Sequence, residues 1–348
     1  MKIFHVVGAL SGGGAEIWCK NLVINSQLVG LNSYGFVSLT SKNNILAEEI
    51  GQHGIKVYYI ESKNPLKIFL RLKEIQDIEQ IDLVHSHIHF FSGFIVLIAA
   101  IIGIKNRIVH SHTSNDPRNL IYITAMKILI MLFSTGGIAV SKSAYKDLFF
   151  VDKGNIIMHC GVPFPNRHIE RRTTDEIITL GTVARLEAVK NQKFLIDVAH
   201  YMQMSYTVKL IIVGDGSLRS ELEEYVNSLN MKNSVTFTGW SANIYEYLAL
   251  MNCFVMTSFR EGLPLSAIEA QVAGVPVVLA DTISEETIVL AKVSGIRVSL
   301  NSTLDIWQIN IVHMSRISFD RNLIYETDFN LDRNVTALEK FYLDRLYR

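Results

Sequence analysis

The sequence has no excess of charge of either sign: 33 lysines and arginines stand against 33 aspartates and glutamates in 348 residues. That balance removes the general attraction to polyanions expected of a nucleic-acid binder, so no nucleic-acid partner is expected. Cysteine is scarce. Its three copies, Cys19, Cys160 and Cys253, are odd in number, far apart and at no metal-ligand spacing, which excludes a disulfide framework and reads as reduced thiols of a cytoplasmic protein. No apolar run reaches the ~20 residues that a membrane-spanning helix needs. The longest, "FIVLIAAIIGI" from Phe94 and "MKILIMLF" from Met126, read as buried or interfacial helices. The opening "MKIFHVVGA" lacks the h-region and small-residue cleavage site of a signal peptide. Asp-x-Asp occurs nowhere, so a carboxylate cage for magnesium or manganese has no support.

What is present is apolar: 49% of residues are hydrophobic and 19% charged, enough for sizeable cores, and the length exceeds one usual domain. Short apolar runs such as "KIFHVVGA", "SYGFVSLT", "KVYYI", "DLVHSH", "RIVHSH" and "GGIAVS" alternate with helical stretches as far as "IIMHC". Such alternation predicts a doubly wound α/β domain with a parallel sheet. The segment "GVPFPNRHIERRTTDE" then holds two of the six prolines and a cluster of charges, and reads as a connector. Alternation restarts with "IITLGTVAR", "VKLIIVGDG", "VTFTGW" and "CFVMTS". The expected organisation is a first domain over 1–163, a linker over 164–176, a second domain over 177–331 and a closing helix over 332–348 that packs back on the first domain. Two Rossmann-like domains face a central cleft in this reading, and the ligand belongs there.

The most informative stretch is "FREGLPLSAIEAQVAGVPVV", residues 259–278, with Glu261 and Glu269 on either side of a Gly-Leu-Pro turn. Gly262 frees the backbone and Pro264 suits the first turn of a helix that Gly274 and Pro276 end. The turn therefore lies between a strand and a helix, where unpaired helix-start amides favour an anion such as phosphate. The two flanking carboxylates suit neutral donors such as sugar hydroxyls. "GTVARLEAVK" places Arg185 and Lys190 just after the first strand of the second domain, and two cations beside such a helix start suit a diphosphate.

Other motifs are weaker. Gly214 and Gly216 in "VGDGSLRSELE" follow a strand and allow a tight turn or close ligand approach. Gly12, Gly13 and Gly14 also follow a strand. A third dinucleotide-fingerprint glycine would fall at Ile17, however, and the second strand ends on no acid, which leaves a plain phosphate or substrate loop. His85, His87, His89, His110 and His112 alternate along two strands, but with no cysteine or acid at ligand spacing they read as polar strand ends on a wet rim, with no metal site. No cofactor is called for.

Taken together, "GGGAE", Arg185-x4-Lys190, "VGDGSLRSELE", "VTFTGW" and Glu261-x7-Glu269 resemble the group 1 (family 4) retaining glycosyltransferases of GT-B fold. The order and spacing agree over nearly the whole chain, and the paired "HSH" segments are most similar to the branch that builds bacterial capsular and exopolysaccharides. The resemblance implies that Arg185 and Lys190 hold a donor diphosphate, that Glu269 takes the ribose hydroxyls, and that Glu261 lies beside the donor sugar. It implies that Gly262, Leu263, Pro264, Leu265 and Ser266 form the loop that cradles the phosphates, and that Gly214 contacts the donor. In the first domain it gives His112, ahead of His110, the place of the histidine near the sugar, and Gly13 and Gly14 that of the loop facing phosphate and acceptor. Cys160 stands where the family often has Asn.

The activity so implied is metal-independent transfer of a hexose or N-acetylhexosamine, with retention, from a nucleotide sugar, taken as UDP-linked. The acceptor would be a glycan or a polyprenyl-diphosphate-linked sugar. Residues 1–165 hold 15 basic against 11 acidic side chains, and the remainder 18 against 22. A basic first half with apolar helices from Phe91 and Leu120 suits docking on the inner face of the cytoplasmic membrane, the alternative being that these helices are core. Two rivals remain: a non-hydrolysing sugar-nucleotide epimerase, which would convert the donor with no acceptor, and a silent sugar-nucleotide-binding subunit of a polysaccharide assembly complex, which would bind without turnover.

Overall fold

A computed structural model of the chain describes residues 1–10, 12–40, 45–62, 64–112, 119–165 and 176–346. Most of the expected connector, 166–175, lies outside them. The chain divides into two compact units, one made of Met1–Pro163 with Leu331–Arg348 and the other of Phe164–Asn330.

The first unit carries β1 (Lys2–Val7), β2 (Ser33–Ser38), β3 (Lys56–Tyr59), β4 (Leu83–Ser86), β5 (Asn106–Ser111), β6 (Gly136–Ala139) and β7 (Ile156–Ile157). They form one sheet in the order β3-β2-β1-β4-β5-β6-β7, and every pair is parallel. Strands covered on both faces read as continuous apolar runs, and all four residues of both β4 and β6 are buried. The second unit has β8 (Ile178–Val183), β9 (Val208–Val213), β10 (Val235–Gly239), β11 (Cys253–Met256), β12 (Val277–Ala280) and β13 (Gly295–Val298). Its order, β10-β9-β8-β11-β12-β13, repeats that of the first six strands of the other sheet. The strand β13 is an addition to the sequence reading.

Local chemistry explains the helix starts. The helix Pro65–Glu79 begins on Asn64, whose side chain accepts from the amides of Leu66 and Lys67. Proline follows at a position that needs no N–H. The helix Gly14–Val29 begins on Gly13, and the Glu16 carboxylate reaches back to the amides of Gly12 and Gly13 at 2.9 and 3.1 Å. Helices Ser92–Ile101 and Leu120–Phe133 meet at Gly93, where a Cβ would lie 2.4 Å from the Met126 carbonyl oxygen.

The helix Leu331–Leu346 buries Leu338, Phe341 and Tyr342 within the first unit. Polar contacts fix its register. Asn334 Oδ1 accepts from the Trp18 indole at 3.2 Å and from the Gly161 amide at 2.6 Å, and the Tyr342 hydroxyl meets His85 Nδ1 at 2.6 Å. The Glu339 carboxylate accepts from Tyr34 and Asn32, and Arg345 donates to the carbonyls of Thr135, Lys153 and Gly154. Asn334→Ala would leave two buried donors without this acceptor, a loss of about 1–3 kcal/mol. It is expected to lower the denaturation midpoint of the transition that reports the first unit, followed by Trp18 fluorescence. A midpoint equal to the parent's would show that this contact does not hold the helix.

Candidate active site

Each sheet reverses its strand order once, between β1 and β4 in the first unit and between β8 and β11 in the second. Ligands of open α/β sheets bind at the carboxyl ends of the strands beside such a reversal. The predicted residues fall at both places.

In the second unit the loop after β8 carries Arg185 and Lys190, and the loop after β11 carries Ser258 and Glu261. Lys190 Nζ lies 2.5 Å from Glu261 Oε1, and the Ser258 hydroxyl donates to the same oxygen at 2.8 Å. The lysine and glutamate side chains are only 18% and 12% exposed, so neither is a freely solvated charge. Backbone contacts hold the two loops together: the Phe259 amide donates to the Val189 carbonyl at 2.9 Å, and the Thr257 hydroxyl to the Asn191 carbonyl at 2.9 Å. Asn191 adopts a left-handed conformation, φ 52°, at the turn into the helix Gln192–Met202, and Gln192 Nε2 donates to the Arg185 carbonyl. Thr282 in turn donates to the Ser258 carbonyl at 2.6 Å.

Arg185 behaves differently. Its guanidinium pairs with Glu187 at 2.8 Å and is 66% exposed, so the structure does not bring it onto the Lys190–Glu261 pair. Gly214, after β9, has φ +131°, and a Cβ there would lie 2.0 Å from the Ala184 carbonyl oxygen. Only glycine lets that strand end pass so close to the loop of Arg185.

The helix Leu265–Val272 follows the Gly262-Leu263 turn, with Pro264 as its cap (φ −72°, ψ 109°) rather than in its first turn. The fixed φ of proline serves either position, and the extended ψ places it just outside the helix. Leu265 and Ser266 are then the first helical residues. Glu269 lies one turn further on, partly exposed as a residue, yet burial raises its carboxyl to about 7. Tyr245 is close enough to feel its charge.

In the first unit a cavity of about 650 Å³ is lined by the ends of β1, β2 and β4 and by the start of the helix Gly14–Val29, including Gly8, Thr40, Glu16, His87, Phe91 and His112. Its size is that of a small-molecule site. Gly13 caps that helix and Gly14 begins it, so the glycine loop borders this cavity. His112 Nε2 lies 2.8 Å from His87 Nδ1. Burial lowers the His112 imidazole to about 3, so it is uncharged near neutral pH.

Of the histidines read from the sequence as a wet rim, His85 and His110 are wholly buried and His89 is buried, while His87 and His112 are partly exposed and line the cavity. The sequence reading gave no site role to Ser258, Gln192 or Glu16, and gave His87 only a place on the rim. Ser258 alone had a local signal, three residues before Glu261.

Comparison with known proteins follows this geometry. The family model for glycosyl transferases group 1 matches residues 166–303, a span that includes Arg185, Lys190, Gly214, Glu261 and Glu269. The chain is 27% identical to the putative glycosyltransferase EpsF of Bacillus subtilis over 98% of this chain and 96% of that one. It is 29% identical to the capsular polysaccharide biosynthesis glycosyltransferase CapH of Staphylococcus aureus over 78% of each. Among solved structures, Anabaena HepE in complex with UDP and glucose superposes with a TM-score of 0.78 and 18% identity, covering 99% of this chain and 100% of that one.

The raised Glu269 carboxyl gives a signed expectation. A carboxyl whose folded pKa, about 7, exceeds its ordinary value of 4.5 adds stability that is complete below pH 4.5 and is lost as pH rises through 7. Glu269→Gln, which cannot ionise, is expected to flatten the fall in stability between those pH values and to be more stable than the parent at pH 8, by on the order of 1–2 kcal/mol after discounting for partial exposure. Denaturant midpoints at pH 5 and pH 8 measure this. An unchanged slope would mean that the carboxyl ionises freely.

Proposed function

We propose a donor, an acceptor and a mechanism for this chain from the premise that it is a group 1 glycosyltransferase of the GT-B fold, of the capsular and exopolysaccharide branch. It moves a hexose or N-acetylhexosamine from a UDP-linked donor to a glycan or polyprenyl-diphosphate-linked sugar, with retention at the anomeric carbon. The observation that carries this reading is the Lys190–Glu261–Ser258 cluster at the strand-order reversal of the second unit, beside the start of the helix Leu265–Val272. HepE, with the same fold, is a structure with UDP and glucose bound, which supports a uridine donor.

In the proposed mechanism the leaving diphosphate carries the charge that develops at the transition state. Lys190 and the amides from Gly262 to Ser266 stabilise it, with Arg185 turning from Glu187 to take a second oxygen. Glu261, released from Lys190 as the diphosphate takes the cation, is left with Ser258 and accepts from donor-sugar hydroxyls. Glu269 accepts from the ribose hydroxyls, and Gly214 lets the donor approach the strand end. No residue serves as a covalent nucleophile in this scheme. The leaving phosphate takes the acceptor proton, so no divalent metal is required at this step. In the first unit His112 lies near the transferred sugar, and the Gly13-Gly14 loop faces the phosphate and the acceptor.

Lys190→Ala is expected to lower kcat/KM by about 10²-fold or more, and Arg185→Ala by a smaller factor, with the fold intact by circular dichroism. Near-normal turnover in both variants would remove the diphosphate assignment. Calorimetric titration without divalent metal should give binding of UDP in preference to GDP or ADP, lost in Glu269→Ala and Lys190→Ala. Binding without transfer to any acceptor would favour the silent-subunit reading, and conversion of UDP-sugar alone the epimerase.

The lipid-linked acceptor draws support from the helix Leu120–Phe133. Leu120 and Ile121 are 76% and 80% exposed and Leu132 is 61% exposed, an apolar surface that a buried core helix would not present. We infer that this helix rests on an anionic bilayer, which also places the chain on the inner face of the cytoplasmic membrane. Flotation with vesicles containing phosphatidylglycerol should carry the protein upward, and Leu120→Asp with Ile121→Asp should abolish it. Equal recovery of parent and variant with the vesicles would remove the docking surface.

A further inference from the structure

Seven side chains from three strands and one helix converge in the core of the first unit: His5 from β1, Trp18 and Cys19 from the helix Gly14–Val29, His85 and His87 from β4 and its end, and His110 and His112 from β5 and its end. Two-residue alternation puts His85 with His87, and His110 with His112, on one sheet face, and the parallel register sets His5 opposite His85. The rings stack at centroid distances of 4.1 to 5.3 Å.

Three donor atoms form a triangle. His5 Nδ1 and His87 Nε2 are 2.9 Å apart, and Cys19 Sγ lies 3.5 Å from the first and 3.6 Å from the second. Ligand bonds of about 2.0–2.1 Å to nitrogen and 2.3 Å to sulfur, in a tetrahedron, put donor atoms roughly 3.3–3.6 Å apart. Both sulfur edges match that geometry, and the nitrogen edge needs only a small opening. His85 joins the two histidines: His5, His85 and His87 each offer one ligand nitrogen within 4.8 Å of the others. His85 Nε2 is buried with no hydrogen-bond partner, while its Nδ1 is held by the Tyr342 hydroxyl at 2.6 Å. A ring with one nitrogen tied to a hydrogen-bond partner and the other unpaired has the usual arrangement of a metal-binding histidine.

We propose that His5, Cys19, His85 and His87 form a tetrahedral zinc site in the core of the first unit. Zinc takes neutral imidazoles and a thiolate as ligands. Binding therefore exchanges one thiol proton for the ion: Cys–SH and Zn²⁺ give Cys–S–Zn⁺ and H⁺. His87 lines the cavity, which supplies a route of entry. The site would tie β1 and β4 to the helix that starts with the glycine loop. It would also fix His87 with its Nδ1–H directed to His112 Nε2, and so set the tautomer of His112. The ion is structural and lies apart from the Lys190–Glu261 cluster, so this inference stands or falls independently of the proposed reaction.

The full-length protein, purified through a histidine-free tag from zinc-supplemented cells and passed over a chelating resin, is expected to hold about one zinc per chain by elemental mass spectrometry. Cys19→Ala should lose it, and His110→Gln should keep it. Refolding with Co²⁺ in place of zinc should give the visible bands of tetrahedral cobalt together with a thiolate-to-cobalt charge-transfer band. If Cys19→Ala does not fold, the Cys160→Ala, Cys253→Ala double variant decides: Cys19 is then the sole thiol, and the charge-transfer band should persist. Absence of zinc from the parent together with no cobalt spectrum would overturn the site, as would zinc retained at full occupancy in Cys19→Ala or a cobalt spectrum with no thiolate band.

Discussion

The arrangement on which the rest depends is the strand order shared by the two sheets. In each, the chain builds outward from its first strand to one edge, then crosses to the other side of that strand and builds outward again. Right-handed crossovers place the helices of the two halves on opposite faces, so the loops on either side of the reversal diverge and leave a crevice. Val7, Gly8 and His87 border it in the first unit, and Lys190 and Ser258 in the second. The chemistry-bearing residues sit on loops because only there are backbone amides and side chains free of the ladder. They are held in place because the strands beneath them are buried on both faces.

Within that frame, partners rather than burial alone decide which groups carry charge. Glu79 is 3% exposed, yet hydrogen bonds from Lys56, then Tyr58 and Lys2, hold its carboxyl down at about 2. Glu269 has no such cation and rises to about 7. Both are acids in helices packed beside a parallel sheet. One fastens β1 and β3 to the helix Pro65–Glu79, and the other remains poised between protonation states. A buried acid is costly to keep, which agrees with the ribose-binding role proposed for Glu269.

The fold was legible wherever a strand is covered on both faces. "CFVMTS", "RIVHSH" and "VPVVLAD" give β11, β5 and β12 because each is a short, mostly buried run with apolar residues at its centre. "GIRVS" was not read as a strand, for β13 is an edge: Arg297 is exposed there and bonds to the loop carbonyls of Asp281 and Ile283. In the candidate site, spacing placed Lys190 and Glu261 near one strand end, since both follow strands adjacent in the sheet. Spacing could not tell Lys190 from Arg185: the lysine reaches Glu261 across the two loops, while the arginine pairs with Glu187 two residues away. Nor could it bring Cys19 to His5 and His87. The cysteine reaches them from a helix, and the distance of 68 residues from Cys19 to His87 carries no local signature.

The two units also divide the electrostatic work. In the first, desolvation lowers the imidazoles of His85, His87, His110 and His112, and the cavity lining also holds the acidic side chain of Glu16. In the second, a mostly buried lysine is paired with a single carboxylate oxygen, and an anion of higher charge density can compete for that lysine. In the mechanism we propose, Lys190 and Glu261 separate when the diphosphate arrives, so the carboxylate is exposed to neutral donors as the diphosphate binds. One ion pair therefore couples recognition of the phosphate end of a ligand to recognition of its hydroxyl end.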